Sequence, residues 1–356
     1  MRLFYQVLIK IDNEMRSVVL LFIINFIVFG CGKSNDQDLS YELPIFSDTI
    51  RIEGEIINDS FIFETGHIAL SVNRIIYCGR TDINNMNYHV FNYDGNYIRS
   101  FGDLGRGPGE ISIPYIPGVL FKDSLYCVFD INHNKKVFFS INSDTFYEED
   151  IRENEKPMLP WLYQLWSNNR VLLFTREKRF VLMSQGDSLD CYNDYPDLTK
   201  KNESINIKRG YFAYKSSHAH SDRQNKFVIG TSNGAIMQIF NISDNRIIHN
   251  STIMISKPEY YLSKSQVDNY IPILTSENHI GMYDMCANDK YIYATFYNDN
   301  NSKIPYIMQF DWNGNPYKLF EVNDEITNFT IAPDNMVAFA FKYIDEVPYL
   351  CKYSLK

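Results

Sequence analysis

Short apolar runs, broken at close intervals by Asn, Asp, Gly and Ser, fill the chain beyond residue 45. Lys136-Val137-Phe138-Phe139, Phe227-Val228-Ile229 and Met237-Gln238-Ile239-Phe240 are typical, rich in the aromatic and β-branched residues that suit a pleated, half-buried surface. No long stretch keeps a helical period, so the pattern predicts strands joined by turns. The runs also echo one another. Phe91-Asn92-Tyr93-Asp94-Gly95-Asn96 returns as Phe310-Asp311-Trp312-Asn313-Gly314-Asn315, each followed by a closing phenylalanine, Phe101 and Phe320. Asp-Gly and Asn-Gly between apolar alternations signal hairpins, here expected to turn through type I′ geometry.

A second echo links Ile304-Pro305-Tyr306-Ile307 to Val347-Pro348-Tyr349-Leu350, with the prolines 43 residues apart. A repeat of about 40–45 residues with several strands per unit points to an all-β propeller. Taking the strand before each hairpin as an anchor gives Phe91, Phe139, Leu182, Phe240, Phe310 and Tyr353, which predicts a six-bladed β-propeller over residues 46–356. Lys257–His279 reads as a long loop. The chain stops soon after Tyr353, without an outer strand for that blade. The strand-like segment Asp48–Ile57 is expected to supply it, closing the ring and covering an exposed sheet edge.

Ahead of the repeats runs an uncharged stretch from Ser17 to Gly30, flanked by Arg16 and ending at Cys31. It is shorter than the ~20 apolar residues of a membrane span. A basic residue, a short apolar core and Val28-Phe29-Gly30-Cys31 resemble a bacterial lipoprotein signal. This divides the chain into a signal peptide (1–30), a lipidated tether (31–45) and the propeller. Asp12 and Glu14 suit a signal poorly, so Met15 is an alternative start. Lipid on Cys31 would make this an outer-membrane or cell-surface lipoprotein, facing the periplasm or the exterior.

Charge narrows the partners. The chain carries −9, and loss of residues 1–30 takes it to −10, because three of the charges removed are basic and two acidic. Nucleic-acid binding rests on Lys and Arg at phosphates, so none is expected. Beyond Cys31 the cysteines are Cys78, Cys127, Cys191, Cys286 and Cys351, an odd set without a Cys-x-x-Cys pair. Cys78, Cys127 and Cys351 sit in apolar runs and read as buried free thiols.

Phe101-Gly102-Asp103-Leu104-Gly105-Arg106-Gly107-Pro108-Gly109-Glu110-Ile111 resembles the G-x-G-P-G-E signature of six-bladed TolB-like propeller lipoproteins. The Asp130–Lys135 pattern and the segment from Tyr214 through Phe240 are similar too. The resemblance implies the propeller and the lipoprotein address, and no particular catalysis.

Candidate binding residues lie on the inter-blade crossings. In Gly102–Pro117, the glycines permit sharp turns, and successive amides such as those of Gly107 and Gly109 form a cup for an anion, with Arg106 adding charge and Glu110 an acceptor. The structural alternative is a tight Pro108-Gly109 turn fixed by an Arg106–Glu110 pair. Trp161, Tyr260, Tyr261 and Tyr270, with Tyr195 and Tyr211, mark a face suited to sugars or peptides, the alternative being packing between blades. His218, His220 and Asp222 are weak metal candidates on alternating positions, in a polar stretch where such residues commonly cap turns. No cofactor is expected. No nucleophile elbow and no helical His-Glu-x-x-His is present, so no catalytic residue is assigned. The sequence therefore reads as a non-catalytic binding or scaffold lipoprotein that meets an unknown small molecule, glycan or protein. The alternatives are an extracytoplasmic enzyme acting on glycans or peptides, with acids at the channel mouth, and a subunit of an envelope or nutrient-uptake complex.

Overall fold

The computed structural model describes residues 43–356, apart from residues 65, 82–85, 114–116, 122–123, 152–162, 166–169, 174–177, 185–186, 197–213, 265–269, 276–279 and 298–303. The signal, Cys31, most of the tether, Trp161 and Tyr211 lie outside the described residues. Leu43–Lys356 forms one compact unit, and every regular element among its described residues is a strand.

The unit begins with β1 (Asp48–Ile52) and β2 (Gly54–Asn58). An antiparallel meander follows, of β3 (His67–Ser71), β4 (Arg74–Cys78), β5 (Tyr88–Phe91) and β6 (Tyr97–Phe101). The next meander is β7 (Val119–Phe121), β8 (Leu125–Asp130), β9 (Lys135–Ser140) and β10 (Phe146–Asp150). After it come β11 (Tyr163–Leu165), β12 (Arg170–Leu173), β13 (Phe180–Ser184) and β14 (Asp187–Tyr192). Then come β15 (Ser216–Ser221), β16 (Lys226–Thr231), β17 (Ala235–Ser243) and β18 (Arg246–Ser256). A lone hairpin, β19 (Tyr260–Lys264) with β20 (Tyr270–Leu274), replaces the loop expected over Lys257–His279. The next sheet joins β21 (Met285–Ala287), β22 (Tyr291–Phe296), β23 (Tyr306–Asp311) and β24 (Pro316–Val322), with β1 added on its edge. The last sheet joins β25 (Ile326–Ile331), β26 (Val337–Ile344) and β27 (Val347–Ser354) to β2.

This is an all-β propeller fold. The first strands of the sheets pack on one another about a common centre, and apolar clusters fill the spaces between successive sheets. The sheet positions explain the sequence pattern. Second strands are enclosed on both faces, so they read as continuous apolar runs rather than alternations: Ile75, Ile76, Tyr77 and Cys78 of β4 are all fully buried. Outer strands have one neighbour fewer, and β10 is exposed along its whole length. All six anchors fall on the third strands of their sheets, β5, β9, β13, β17, β23 and β27. Cys78, Cys127 and Cys351 are buried free thiols, as expected.

The two echoed hairpins are structural twins, but not type I′ turns. Asn92 and Asp311 each accept two backbone N–H bonds through their side chains, from Asp94 and Asn96 and from Asn313 and Asn315. Only the glycine takes positive φ (Gly95 80°, Gly314 90°), with a register shift in the strand just before. That is a type I turn followed by a glycine bulge, the geometry of a three-residue loop.

Asp48–Ile57 does not form one strand. β1 runs parallel to β24, then the chain breaks at the exposed Glu53, and β2 runs antiparallel to β27. A single strand cannot follow two sheet edges that splay apart, so the segment changes edge while keeping its direction. Ile52 is buried in the core between the last two sheets. Gly54 lies against the ring of Tyr353, where an added Cβ would sit 2.5 Å from the ring, so only glycine permits this approach. Asn58 ends the strap by donating from Nδ2 to the Gly95 carbonyl at 2.7 Å.

Candidate functional site

Because strands alternate in direction within each meander, its second turn and the crossing to the next sheet emerge on one face. The Gly102–Pro117 crossing and the β8–β9 turn therefore meet, and side chains from β8, β9 and β10 hold the loop. Ser112 bonds the buried Asp130 through both its amide, at 2.8 Å, and its hydroxyl. Asp130 Oδ2 also lies 2.9 Å from His133 Nδ1. Lys135 donates to the Gly107 carbonyl at 3.2 Å and to Glu148 at 2.6 Å, and Glu148 accepts the Gly109 amide at 2.8 Å. The Asp130–Lys135 pattern and the glycine-rich motif are thus one spatial unit.

Glu110 does not pair with Arg106. Its carboxylate reaches back to the Gly107 amide at 2.6 Å, and a Cβ on Gly105 would collide with it. The amides of Gly107 and Gly109 are therefore engaged by the protein's own carboxylates, and these residues with Glu110 build the loop's frame. Arg106 is exposed and makes no ion pair or side-chain hydrogen bond among the described residues. It stands at a pocket of about 720 Å³ with Leu104, Gly105, Ser112, Asn132 and His133.

On the same face, where the first strands begin, a second cavity of about 510 Å³ marks the channel mouth. Pro117, the end of the crossing, shares its wall with His67, Lys215, His218, Tyr283, Asp284 and Asn328. Asn328 adopts φ of 55° in an irregularity of β25. That irregularity turns the amides of Asn328 and Phe329 towards the Asp284 carboxylate, the latter at 3.4 Å. Protein surrounds Asp284 except where it opens on the cavity. Burial pushes its carboxyl up to about 6, against two backbone hydrogen bonds that pull it down.

A pH dependence follows. A carboxyl whose folded value is raised leaves stability intact below its ordinary 3.8 and removes it as pH rises through about 6. Asp284→Asn keeps an acceptor for the amides without the buried charge. It is expected to raise unfolding free energy by about 1–3 kcal/mol near neutral pH and to change little near pH 4, in paired urea titrations.

The remaining expected site residues separate. His218 lines the channel mouth, while His220 Nε2 sits 3.2 Å from Asp222 Oδ1. The two histidines belong to β15, an innermost strand, rather than to a turn-capping polar stretch. No group of three His, Cys, Asp or Glu placed to hold a metal occurs among the described residues. Tyr260 packs against buried Tyr195 and Tyr214, which is packing rather than display. Tyr261 pairs with Ile273 and Tyr270 with Lys264 in the backbone ladder of the β19–β20 hairpin, and Trp161 lies outside the described residues. Lys135 closes the Asp130–Lys135 pattern read from the sequence, whereas Lys215, Tyr283 and Asp284 are not marked there as site residues. Lys215 falls inside the Tyr214–Phe240 segment of the resemblance, and no sequence signal points to Tyr283 or Asp284.

A family model described as TolB-like 6-blade propeller-like matches residues 46–334. No curated protein matches the chain. Among solved structures, a member of the DUF4221 family from Bacteroides vulgatus is similar at 9% identity and a TM-score of 0.46, covering 85% of this chain and 98% of that one. Chaetomium thermophilum Raptor is similar at 13% identity and 0.44, covering 86% of this chain and 29% of its own. The RRP9 WD40 repeats are similar at 8% and 0.44, covering 85% and 100%. Likeness at this level carries no functional argument.

Proposed function

Since the chain belongs to the family of TolB-like six-blade propellers, we propose that it is a lipid-anchored extracytoplasmic propeller that works by binding rather than catalysis. In this reading each of the sheets with four or more strands is one blade of a six-bladed ring, and β2 is the outer strand of the last. The pairing of Gly54 with Tyr353 and of Glu55 with Lys352 supports that closure. Cys31 carries the lipid and holds the protein at a membrane, with its ligand a small molecule, glycan or protein part. The Ser17–Cys31 pattern supports the anchor, and incorporation of a radiolabelled fatty acid tests it. Label that survives Cys31→Ser would remove the anchor from the account.

The observation that carries the binding reading is Arg106, a guanidinium with no ion pair or side-chain hydrogen bond among the described residues, presented over a pocket by a loop whose Gly107 and Gly109 amides, Glu110 carboxylate and Ser112 hydroxyl are all tied down. Such a group is pre-organised for a carboxylate or phosphate, which guanidinium meets with two parallel hydrogen bonds. Arg106→Ala is expected to abolish binding to arrays of acidic glycans and peptides while changing stability by less than about 0.5 kcal/mol. Equal array binding by the variant would refute this role. For the enzyme alternative, Asp284 is the one carboxylate among the described residues that line the two cavities. Hydrolysis of a glycosidic bond calls for two facing carboxylates, so binding is the better reading.

A further inference from the structure

The channel-mouth cavity, distinct from the Arg106 pocket, holds two opposite charges that do not satisfy each other. Lys215 is exposed at its rim, at the start of β15, and makes no ion pair or side-chain hydrogen bond among the described residues. Asp284, across the wall on the segment leading into β21, also has no ion pair among the described residues, and its carboxylate accepts there from the backbone amides of Asn328 and Phe329. Among the described residues no cation holds its carboxyl down, and burial dominates. A carboxylate enclosed by protein without a counter-charge is costly, unless something that enters the cavity brings one.

The rest of the wall fits the same occupant. Tyr283 is 52% exposed, with its ring edge-on to Tyr297 at 6.5 Å. An aromatic face beside a carboxylate is a receptor for an ammonium group. Lys215 supplies a positive charge for a negative group, and His67 and His218 line the same cavity. The cavity volume, about 510 Å³, lies in the range of small-molecule sites.

We propose that this cavity binds a small zwitterion, an amino acid or short peptide with both ends free. Its ammonium is held by Asp284 and Tyr283, and its carboxylate by Lys215.

The test is calorimetric titration of the full chain with the dipeptide Leu-Gly, its N-acetyl form and its C-terminal amide, at about pH 7.5, where Asp284 is ionised. Capping either end is expected to weaken binding by about tenfold or more. The two caps should map onto the two walls. Acetylation should lose its effect in Asp284→Asn, and amidation should lose its effect in Lys215→Met. Circular dichroism establishes that both variants are folded. Capped and free peptides binding alike, or no binding by any form up to about 10 mM, would overturn the proposal. Arg106→Ala is the control: it should leave Leu-Gly binding intact, so failure here and failure of the Arg106 reading are separate results.

Discussion

A chain that starts at Gly66, lacking β1 and β2, is expected to lose its cooperative fold and to aggregate. The deletion strips the edges of β24 and β27 of their partners, leaving open rows of N–H and C=O groups that invite pairing between molecules. It also takes away Ile52 and Phe63, which are 4% and 2% exposed in two different inter-sheet cores. Phe63 alone stands 5.2–5.7 Å, centroid to centroid, from the rings of Tyr77, Phe91 and Phe341. Truncating one such side chain commonly costs about 3–5 kcal/mol, and losing both rivals the whole stability of a domain, about 5–15 kcal/mol. Gly54→Val is the gentler companion: it keeps the length but sets a branched side chain against the Tyr353 ring. Thermal melts and size-exclusion profiles check both. A chain from Gly66 that melts where the longer protein does would show the strap to be dispensable.

The repeat was legible because a propeller writes it into the chain. Third strands are buried on both faces and end in turns that need Asn, Asp and Gly, so Phe91 and Phe310 announced themselves along with their hairpins. The turn type was misjudged because Asp-Gly is compatible with two loop lengths. The choice between them depends on register, which no single hairpin's residues reveal. The division of Asp48–Ile57 was hidden for a related reason. Its residues are strand-forming throughout, and only the splay of two distant sheet edges forces the break at Glu53. The site was readable only in part. Arg106 and its glycines are contiguous, and their motif stood out. Lys215, Asp284 and Asn328 are scattered over more than a hundred residues and meet only because the first strands converge. Asp284 sits in an ordinary run of sequence, and its raised carboxyl comes from its burial, which composition does not show.

Lys135→Ala should be the most damaging single change in the Arg106 loop, with a loss of about 1–2 kcal/mol in urea unfolding, moderated because Glu148 stays open to water on β10. Lys135 is 9% exposed and is the one cation on Glu148, at 2.6 Å, among the described residues. Removing it takes that donor from the Gly107 carbonyl and leaves Glu148 with the Gly109 amide and water, and a half-buried carbonyl without its donor costs more than the bond itself is worth. The pH profile identifies the mechanism. Burial by itself would raise the Glu148 carboxyl, but hydrogen bonds from Lys135 and the Gly109 amide outweigh it and hold the group below its ordinary 4.5. A lowered carboxyl gives stability that is present above the ordinary value and lost as pH falls through the folded one. The gap between parent and Lys135→Ala should therefore narrow on acidification below about pH 4. Glu148→Gln should cost less than Lys135→Ala, because the amide oxygen still accepts from Gly109. The double variant should lose less than the two single losses together, as partners in contact do. A gap that stays constant with pH would mean that Lys135 acts through packing of its stem, and the loop that presents Arg106 would then owe its shape to the Ser112–Asp130 tie instead.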